Sequence, residues 1–313
     1  MMENSKNIPR LAGVYFRGIA MGAADVVPGV SGGTVAFITG IYEELIGSIK
    51  SINPAALGIL YKEGISACWT SINGTFLVVL LAGIMTSVLS LAKVIVFLLD
   101  THPLIVWSFF LGLIAASSIH MVKQVRSWAP PVAIALIAGA AVAYGVAEIR
   151  PSDITPTLPV FFAAGCIAIC AMILPGISGS FILLLMGMYG HVLTALKDFQ
   201  LVPILVFAVG CGTGLLSFSH LLAWMFRRYH DLTMALLTGF LLGSLNLVWP
   251  WKQTLSYYQN SSGELHALQQ TNVWPWNYQS LSGLESNLVE CAMFALLGLF
   301  AVVLLEKMGS TKP

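Results

Sequence analysis

The sequence predicts an all-α polytopic membrane protein built from two inverted repeats of five embedded segments each, with the first two segments of each repeat, short and glycine-rich, favouring a re-entrant helical hairpin over two full crossings. Three observations carry this reading: an apolar composition, a helix-breaking phrase that occurs twice, and a one-sided distribution of lysine and arginine. Of the 313 residues, 57% are hydrophobic and 9% charged, with a mean hydropathy of +0.85, whereas a soluble domain carries roughly 25% charged residues. A net charge of +1 with no basic stripe excludes nucleic acid as a partner. The five cysteines include no CxxC pair. Cys166 and Cys170 lie four apart on one helix face without a matching Cys or His pair, so they read as packing residues, and neither a metal nor a bound cofactor is expected.

Ten apolar runs are long enough to enter a bilayer, which takes about 20 helical residues to cross. They cover 11–27, 30–48, 74–99, 103–121, 129–147, 157–174, 177–196, 201–226, 231–249 and 288–306. Arg17 and Asp25 interrupt the first run, which therefore lacks the form of a secretory signal, and the N-terminus is expected to be mature. Residues 250–287 hold no apolar run and read as an extramembrane loop, flanked by the triplets WPW at 249–251 and 274–276 as interfacial aromatic anchors.

The phrase VVPGVSGGTVAF (26–37) returns as ILPGISGSFILL (173–184). A shift of 147 superposes Gly18 on Gly165, Pro28 on Pro175, Gly29 on Gly176, Ser31 on Ser178, Gly32 on Gly179, Gly40 on Gly187 and Tyr42 on Tyr189. A second PGxSG at any given position has a chance on the order of one in 10⁵ at average residue frequencies. After the motif the register becomes 127, because the 49–73 linker is longer than its counterpart. Gly83 then meets Gly210, Gly112 meets Gly239 and Ser117 meets Ser244. The fifth segments align only through Ala133 with Ala292 and Gly139 with Gly298. The chain thus divides into a first repeat, 1–150, and a second, 151–313.

Five segments per repeat is an odd number, so the second copy enters the membrane upside down. With the N-terminus inside, Lys6, Arg10, Lys50, Lys62, Lys123, Arg126, Arg227, Arg228, Lys307 and Lys312 are cytoplasmic, and only Arg150, Lys197 and Lys252 are external. That bias places both termini in the cytoplasm and the 250–287 loop outside.

Inside a bilayer an unpaired backbone amide or carbonyl costs several kcal/mol, so an irregular turn at depth must be buried in protein or line a polar cavity. Pro28 and Gly29, and Pro175 and Gly176, form the motif turns. Ser31 is the expected N-cap of the next helix, with the amides of Gly32, Gly33 and Thr34 free at its positive end. Ser178, Gly179 and Ser180 take the same roles in the second copy. Such helix ends suit a phosphate or carboxylate, and inverted repeats that bring two of them to the midplane match secondary transporters.

Arg17 and Asp25 are ionisable groups at membrane depth, which marks them for function. Arg17 could hold phosphate oxygens or snorkel to the interface; Asp25 could bind a coupling proton or cation, or hold the motif loop. Their counterparts in the second repeat are Ala164 and Met172. Lys93 is expected to snorkel, Glu43 and Glu44 to mark the cytoplasmic end of the motif helix, and the histidines to lie outside the site. GVSG and GISG also fit the GxSG around the nucleophile of intramembrane serine proteases, but that chemistry needs a histidine base, and no histidine is duplicated with the motif.

The stretches FRGIAMGAADVVPGVSGGTVAFITGIYEELI (16–46) and AMILPGISGSFILLLMGMYG (171–190) resemble the signature pair of a bacterial membrane family, once a domain of unknown function, now read as polyprenyl-phosphate (undecaprenyl-phosphate) translocases. The resemblance implies transport of the lipid carrier from the outer to the cytoplasmic leaflet of the inner membrane for reuse in envelope synthesis. It also implies that Arg17, Asp25, Ser31, Gly32, Gly33, Thr34, Ser178, Gly179 and Ser180 form the headgroup region, with polyprenyl phosphate and bilayer lipids as partners. The competing expectation is an ion-coupled carrier or channel for a small soluble anion. The sequence leaves open whether protons or sodium drive the cycle, and whether the protein forms a homodimer.

Overall fold

The computed structural model describes residues 3–27, 30–149, 154–259 and 265–310, with side chains excepted at 3–9, 256–259, 265–269 and 305–310. The motif turn Pro28 and Gly29 lies outside the described residues. From the N-terminus the helices are α1 (Glu3–Val26), α2 (Gly32–Ile38), α3 (Tyr42–Ser51), α4 (Pro54–Glu63), α5 (Ile65–Ser71), α6 (Gly74–Ser90), α7 (Ala92–Thr101), α8 (Pro103–Gln124) and α9 (Pro130–Glu148). Then follow α10 (Leu158–Ile173), α11 (Gly179–Leu185), α12 (Tyr189–Lys197), α13 (Leu201–Arg228), α14 (His230–Ser244), α15 (Pro275–Ser282) and α16 (Leu288–Ser310). Proline in the first turn starts α4, α8, α9, α10 and α15, where its missing amide costs nothing.

The protein is a helical, polytopic membrane protein. Helices α8, α9 and α13 are each long and apolar enough to cross a bilayer, and the bent pairs α5–α6 and α11–α12, at 69° and 107°, reach that length jointly. Large apolar side chains point outward along the bundle, Leu89 at 75% and Val289 at 74% exposure. A surface of this kind is one that lipid covers.

The two motif segments, expected as the runs 30–48 and 177–196, are each broken into two helices. The breaks fall at Gly40 and Gly187, both in the left-handed region, with φ of +71° and +67°. The backbone closes each break identically: Ile41 N donates to Ala36 O and Gly40 N to Phe37 O, while Met188 N donates to Leu183 O and Gly187 N to Leu184 O. This pair of bonds around a left-handed glycine is a Schellman C-cap. The 49–73 linker is also structured, as α4 and α5, with Asn53 capping the amides of Ala55 and Ala56.

Four helix pairs carry most of the packing: α1 with α6, α10 with α13, α9 with α14, and α8 with α16. Glycines set their approach. A Cβ on Gly18 would collide with the Leu80 carbonyl, and one on Gly210 with the Phe162 carbonyl. A Cβ on Gly239 would strike Leu136 O, and one on Gly298 would strike Phe109 O. Small residues of this kind let helix backbones touch where lipid offers no hydrophobic drive. Cys166 and Cys170 turn their thiols onto the carbonyls of Gly210 and Gly214 in the α10–α13 contact, as packing residues do.

The 250–287 region is not an irregular loop. Strands β1 (Lys252–Gln259) and β2 (Leu265–Asn272) pair antiparallel, with Lys252 opposite Asn272, and α15 follows. The two WPW triplets meet at the base of this hairpin. Trp249 lies 5.5 Å from Trp251 and 6.3 Å from Trp274, and Trp274 stacks on Trp276 at 5.1 Å. Trp249 Nε1 donates to Val273 O and Trp251 Nε1 to Ser286 O. Lys252 is folded beneath them, its ammonium donating to Leu247 O at 2.5 Å and lying 5.2 Å from the Trp107 ring centroid on α8. Burial pushes its pKa down from 10.5 to about 8.

Two outcomes are expected. Replacing Gly239 by valine should cost about 1–3 kcal/mol, the usual penalty of overpacking, read as a lower unfolding midpoint in detergent, whereas Gly145→Ala, which meets no atom within 4 Å, should leave the midpoint unchanged or raised. For Lys252, the folded pKa lies below that of the unfolded chain, so the penalty for its buried charge is fully present below about pH 8 and is relieved as pH rises toward 10.5. The midpoint should therefore rise over that window, and Lys252→Met should flatten the rise.

Candidate functional site

The two motifs meet in the centre of the chain's packing, where α2 contacts α10 and α8. Ser31 has extended backbone and caps α2 as expected, its Oγ accepting from Gly33 N at 3.1 Å. The same hydroxyl donates to the carbonyl of Met172 at 2.7 Å. Thr34, fully buried, accepts at Oγ1 from the amide of Gly176 at 2.9 Å. Two hydrogen bonds thus join motif to motif across more than 140 residues of chain. Gly33 is required there, since a Cβ would lie 2.5 Å from Ile173 O and 2.8 Å from Met172 O.

Asp25, the second-last residue of α1, reaches forward to the motif. Its Oδ1 accepts from Gly32 N at 2.6 Å, a charge-assisted contact at the positive end of α2. The expectation of three free amides is therefore not met in the first motif: Gly32 N goes to Asp25, Gly33 N to the Ser31 hydroxyl, and Thr34 N to the Ser31 carbonyl at 2.9 Å. The physical reason is burial. All three residues are out of solvent, and orphan donors in that position would cost about 1–3 kcal/mol each.

The second motif is arranged differently. Ser178 stands at the N-cap of α11 but caps none of its amides; its Oγ pairs with Ser180 Oγ at 2.8 Å. Ser180 occupies the place of Gly33 in the first copy, and its added hydroxyl is the partner of Ser178. Gly176 adopts a left-handed φ of +84° and packs so closely on α14 that a Cβ would lie 2.7 Å from Phe240 O. Gly179 similarly packs on α10, against Ala168 O. Pro175 lies in the turn between α10 and α11.

Arg17 is not brought to the motifs by any hydrogen bond. It lies on α1 eight residues before Asp25, about 12 Å along the axis at 1.5 Å per residue, half-buried. Among the described residues its guanidinium has no ion-pair partner. The motif serines are likewise not paired with a base: the recorded partner of the Ser31 hydroxyl is a carbonyl and that of Ser178 is another serine. A nucleophile held by a histidine is not the arrangement here.

Sequence reasoning missed the backbone of Met172 and Ile173 as part of the junction. The signal was available: Met172 is the position onto which Asp25 falls in the 147-residue shift, and the carboxylate of one half is replaced by a main-chain acceptor in the other. Glu43 and Glu44 do more than end a helix. Glu44 pairs with Arg10 at 2.8 Å and accepts from Asn73, and Glu43 lies 3.3 Å from the His230 ring.

Comparison with known proteins places the chain in a family. Residues 21–266 match the model of a family described as VCA0040-like, undecaprenyl phosphate translocase-like. The chain is 51% identical over 293 residues to a protein of Vibrio cholerae serotype O1 named polyprenyl-phosphate transporter, covering 94% of this chain and 95% of the relative. It is 34% identical over 253 residues to a Staphylococcus aureus protein of the same name, covering 75% of this chain and 84% of that one. No solved structure matches the chain significantly.

Thr34→Val removes the acceptor of a buried amide and should lower the unfolding midpoint by the equivalent of about 1–3 kcal/mol, while Thr34→Ser, which keeps the oxygen, should recover most of it. Equal midpoints for the two variants would show that the motif-to-motif bond contributes nothing to stability.

Proposed function

The chain belongs to the undecaprenyl phosphate translocase-like family, and we propose that it moves undecaprenyl phosphate from the outer to the cytoplasmic leaflet of the bacterial inner membrane, by alternating access around a phosphate site at the junction of the two motifs. The observation that carries the reading is the hydrogen-bonded meeting of two duplicated, helix-breaking motifs. A lipid phosphate must take its charge through the hydrocarbon while its tail stays in it, so the protein has to offer polar groups at depth, and broken helices supply them.

Asp25 explains how the first motif can be both buried and ready for an anion. Its carboxylate makes to Gly32 N the bond that a phosphate oxygen would make, so headgroup and carboxylate compete for one donor. Protonation of Asp25 would weaken its hold and release that donor, which gives a route by which a proton could be coupled to transport. Ser31, Gly33 and Thr34 keep the loop in shape. Ser178, Gly179 and Ser180 offer hydroxyls and amides that no carboxylate covers, and Arg17 waits two turns away along α1.

The membrane topology belongs to the same proposal. The pairing of α1 with α6 has its counterpart in α10 with α13, and that of α9 with α14 in α16 with α8. The glycines at these contacts include Gly18 and Gly83 with their counterparts Gly165 and Gly210, superposed by the shifts of 147 and 127, and Gly139 and Gly298, aligned in the fifth segments. These correspondences support two repeats, 1–150 and 151–313, and the lysine and arginine distribution supports their inversion with both termini cytoplasmic. The sharp break between α11 and α12 supports a re-entrant course.

The test is reconstitution in liposomes with leaflet-resolved measurement of a polyprenyl phosphate. The wild-type chain should equilibrate the lipid between leaflets, and Arg17→Ala should slow it at least about tenfold, as loss of a bidentate charged contact does. Movement of inorganic phosphate without the lipid would sink the proposal; unaltered transport in Arg17→Ala would remove that residue from the site.

A further inference from the structure

On the side of the bundle that lysine and arginine mark as cytoplasmic, α3 docks on the C-terminal half of α13. Phe37 at the end of α2 meets Tyr42 edge-on at 5.2 Å, and Tyr42 meets Phe226 at 6.0 Å, so this seam continues directly from the first motif helix. Beside it opens a cleft of about 380 Å³. Ile46, Ala223 and Phe226 make its apolar wall, and Lys50, Arg227 and Asn53 make a polar rim. Glu43 also borders the cleft, but its carboxylate is engaged by His230 at 3.3 Å. Among the described residues, neither the Lys50 ammonium nor the Arg227 guanidinium has a hydrogen bond or an ion pair. Two uncommitted cations beside an apolar wall are complementary to an anion that carries an apolar tail.

The internal repeat provides a comparison within one molecule. Lys50 shifted by 147 falls on Lys197, and Arg227 shifted back by 127 falls on Asp100. The corresponding position therefore carries one cation and one carboxylate, with no net attraction for a phosphate. It also lacks the docked helix, since α12 makes no comparable contact with α7. Tyr189, the counterpart of Tyr42, is 38% exposed where Tyr42 is 2% exposed. A cleft with two cations against the single carboxylate of Glu43 is a property of one side only.

We propose that the α3–α13 cleft is a second binding site, for the phosphate headgroup of a lipid at the cytoplasmic leaflet, in which Lys50 and Arg227 hold the phosphate and Ile46, Ala223 and Phe226 receive the first part of the tail. The assignment rests on the lipid-transport reading above. It adds to it a place where the headgroup is held after leaving the motif junction.

Gly47 lines the cleft and has no atom within 4 Å of where a side chain would start, so Gly47→Cys, in a full-length chain whose native cysteines are replaced, gives a local probe in nanodiscs. Farnesyl phosphate should protect this thiol from a soluble maleimide, and farnesol should not. Lys50→Gln and Arg227→Gln should each raise the concentration needed for protection about tenfold, as expected for a lost charge-assisted contact. Lys50→Arg should retain protection, and Lys197→Gln should change nothing. Protection that is unchanged in the double Lys50→Gln, Arg227→Gln variant would overturn the site, as would inorganic phosphate protecting as well as farnesyl phosphate. Because the probe reads equilibrium binding, a chain that transports the lipid without protection at Gly47→Cys refutes the cleft alone. Protection without transport refutes the transport reading instead.

Discussion

Everything in this structure answers to the need to satisfy backbone polar groups where water is absent. A continuous helix satisfies its own, but α2 and α11 begin inside the protein and leave amides that must find partners elsewhere. The chain solves this in the first half with Asp25 and Ser31 and across the halves with the Ser31–Met172 and Thr34–Gly176 bonds. Those bonds hold α2 against the end of α10 and so set the centre around which the long helices pack.

The packing of those helices follows a second constraint, the weakness of hydrophobic drive in lipid. Contact area has to come from close backbone approach, and the glycines at 18, 83, 139, 210, 239 and 298 supply it. Helix α8 packs on α16 and α14 packs on α9, so the N-terminal and C-terminal parts of the chain interleave.

Asymmetry between the halves is as informative as their likeness. Asp25 corresponds to Met172, Gly33 to Ser180, the continuous α13 to the broken α6–α7, and Arg227 to Asp100. Each substitution changes which polar groups are free: amides are capped in the first motif and uncapped by side chains in the second. The difference also shows in the packing, where Tyr42 is buried in the α3–α13 seam and its counterpart Tyr189 is exposed.

The sequence by itself determined the class of the protein, the duplicated motif, the Ser31 cap and the pairs of small residues that mark helix contacts. These are legible because composition, periodicity and turn chemistry act over a few residues. Only the tertiary structure decided what the motif amides bind, because the partners of Gly32 and Thr34 are chosen by how α1, α2 and α10 cross. It alone broke 30–48 and 177–196 at Gly40 and Gly187, where a glycine reads equally well as a helix contact or as a C-cap. It alone brought the two WPW triplets together and folded Lys252 beneath them, since pairing between β1 and β2 joins residues whose local sequence carries no sign of each other. Proximity through space is a sum over the whole chain, and no short stretch of it contains that sum.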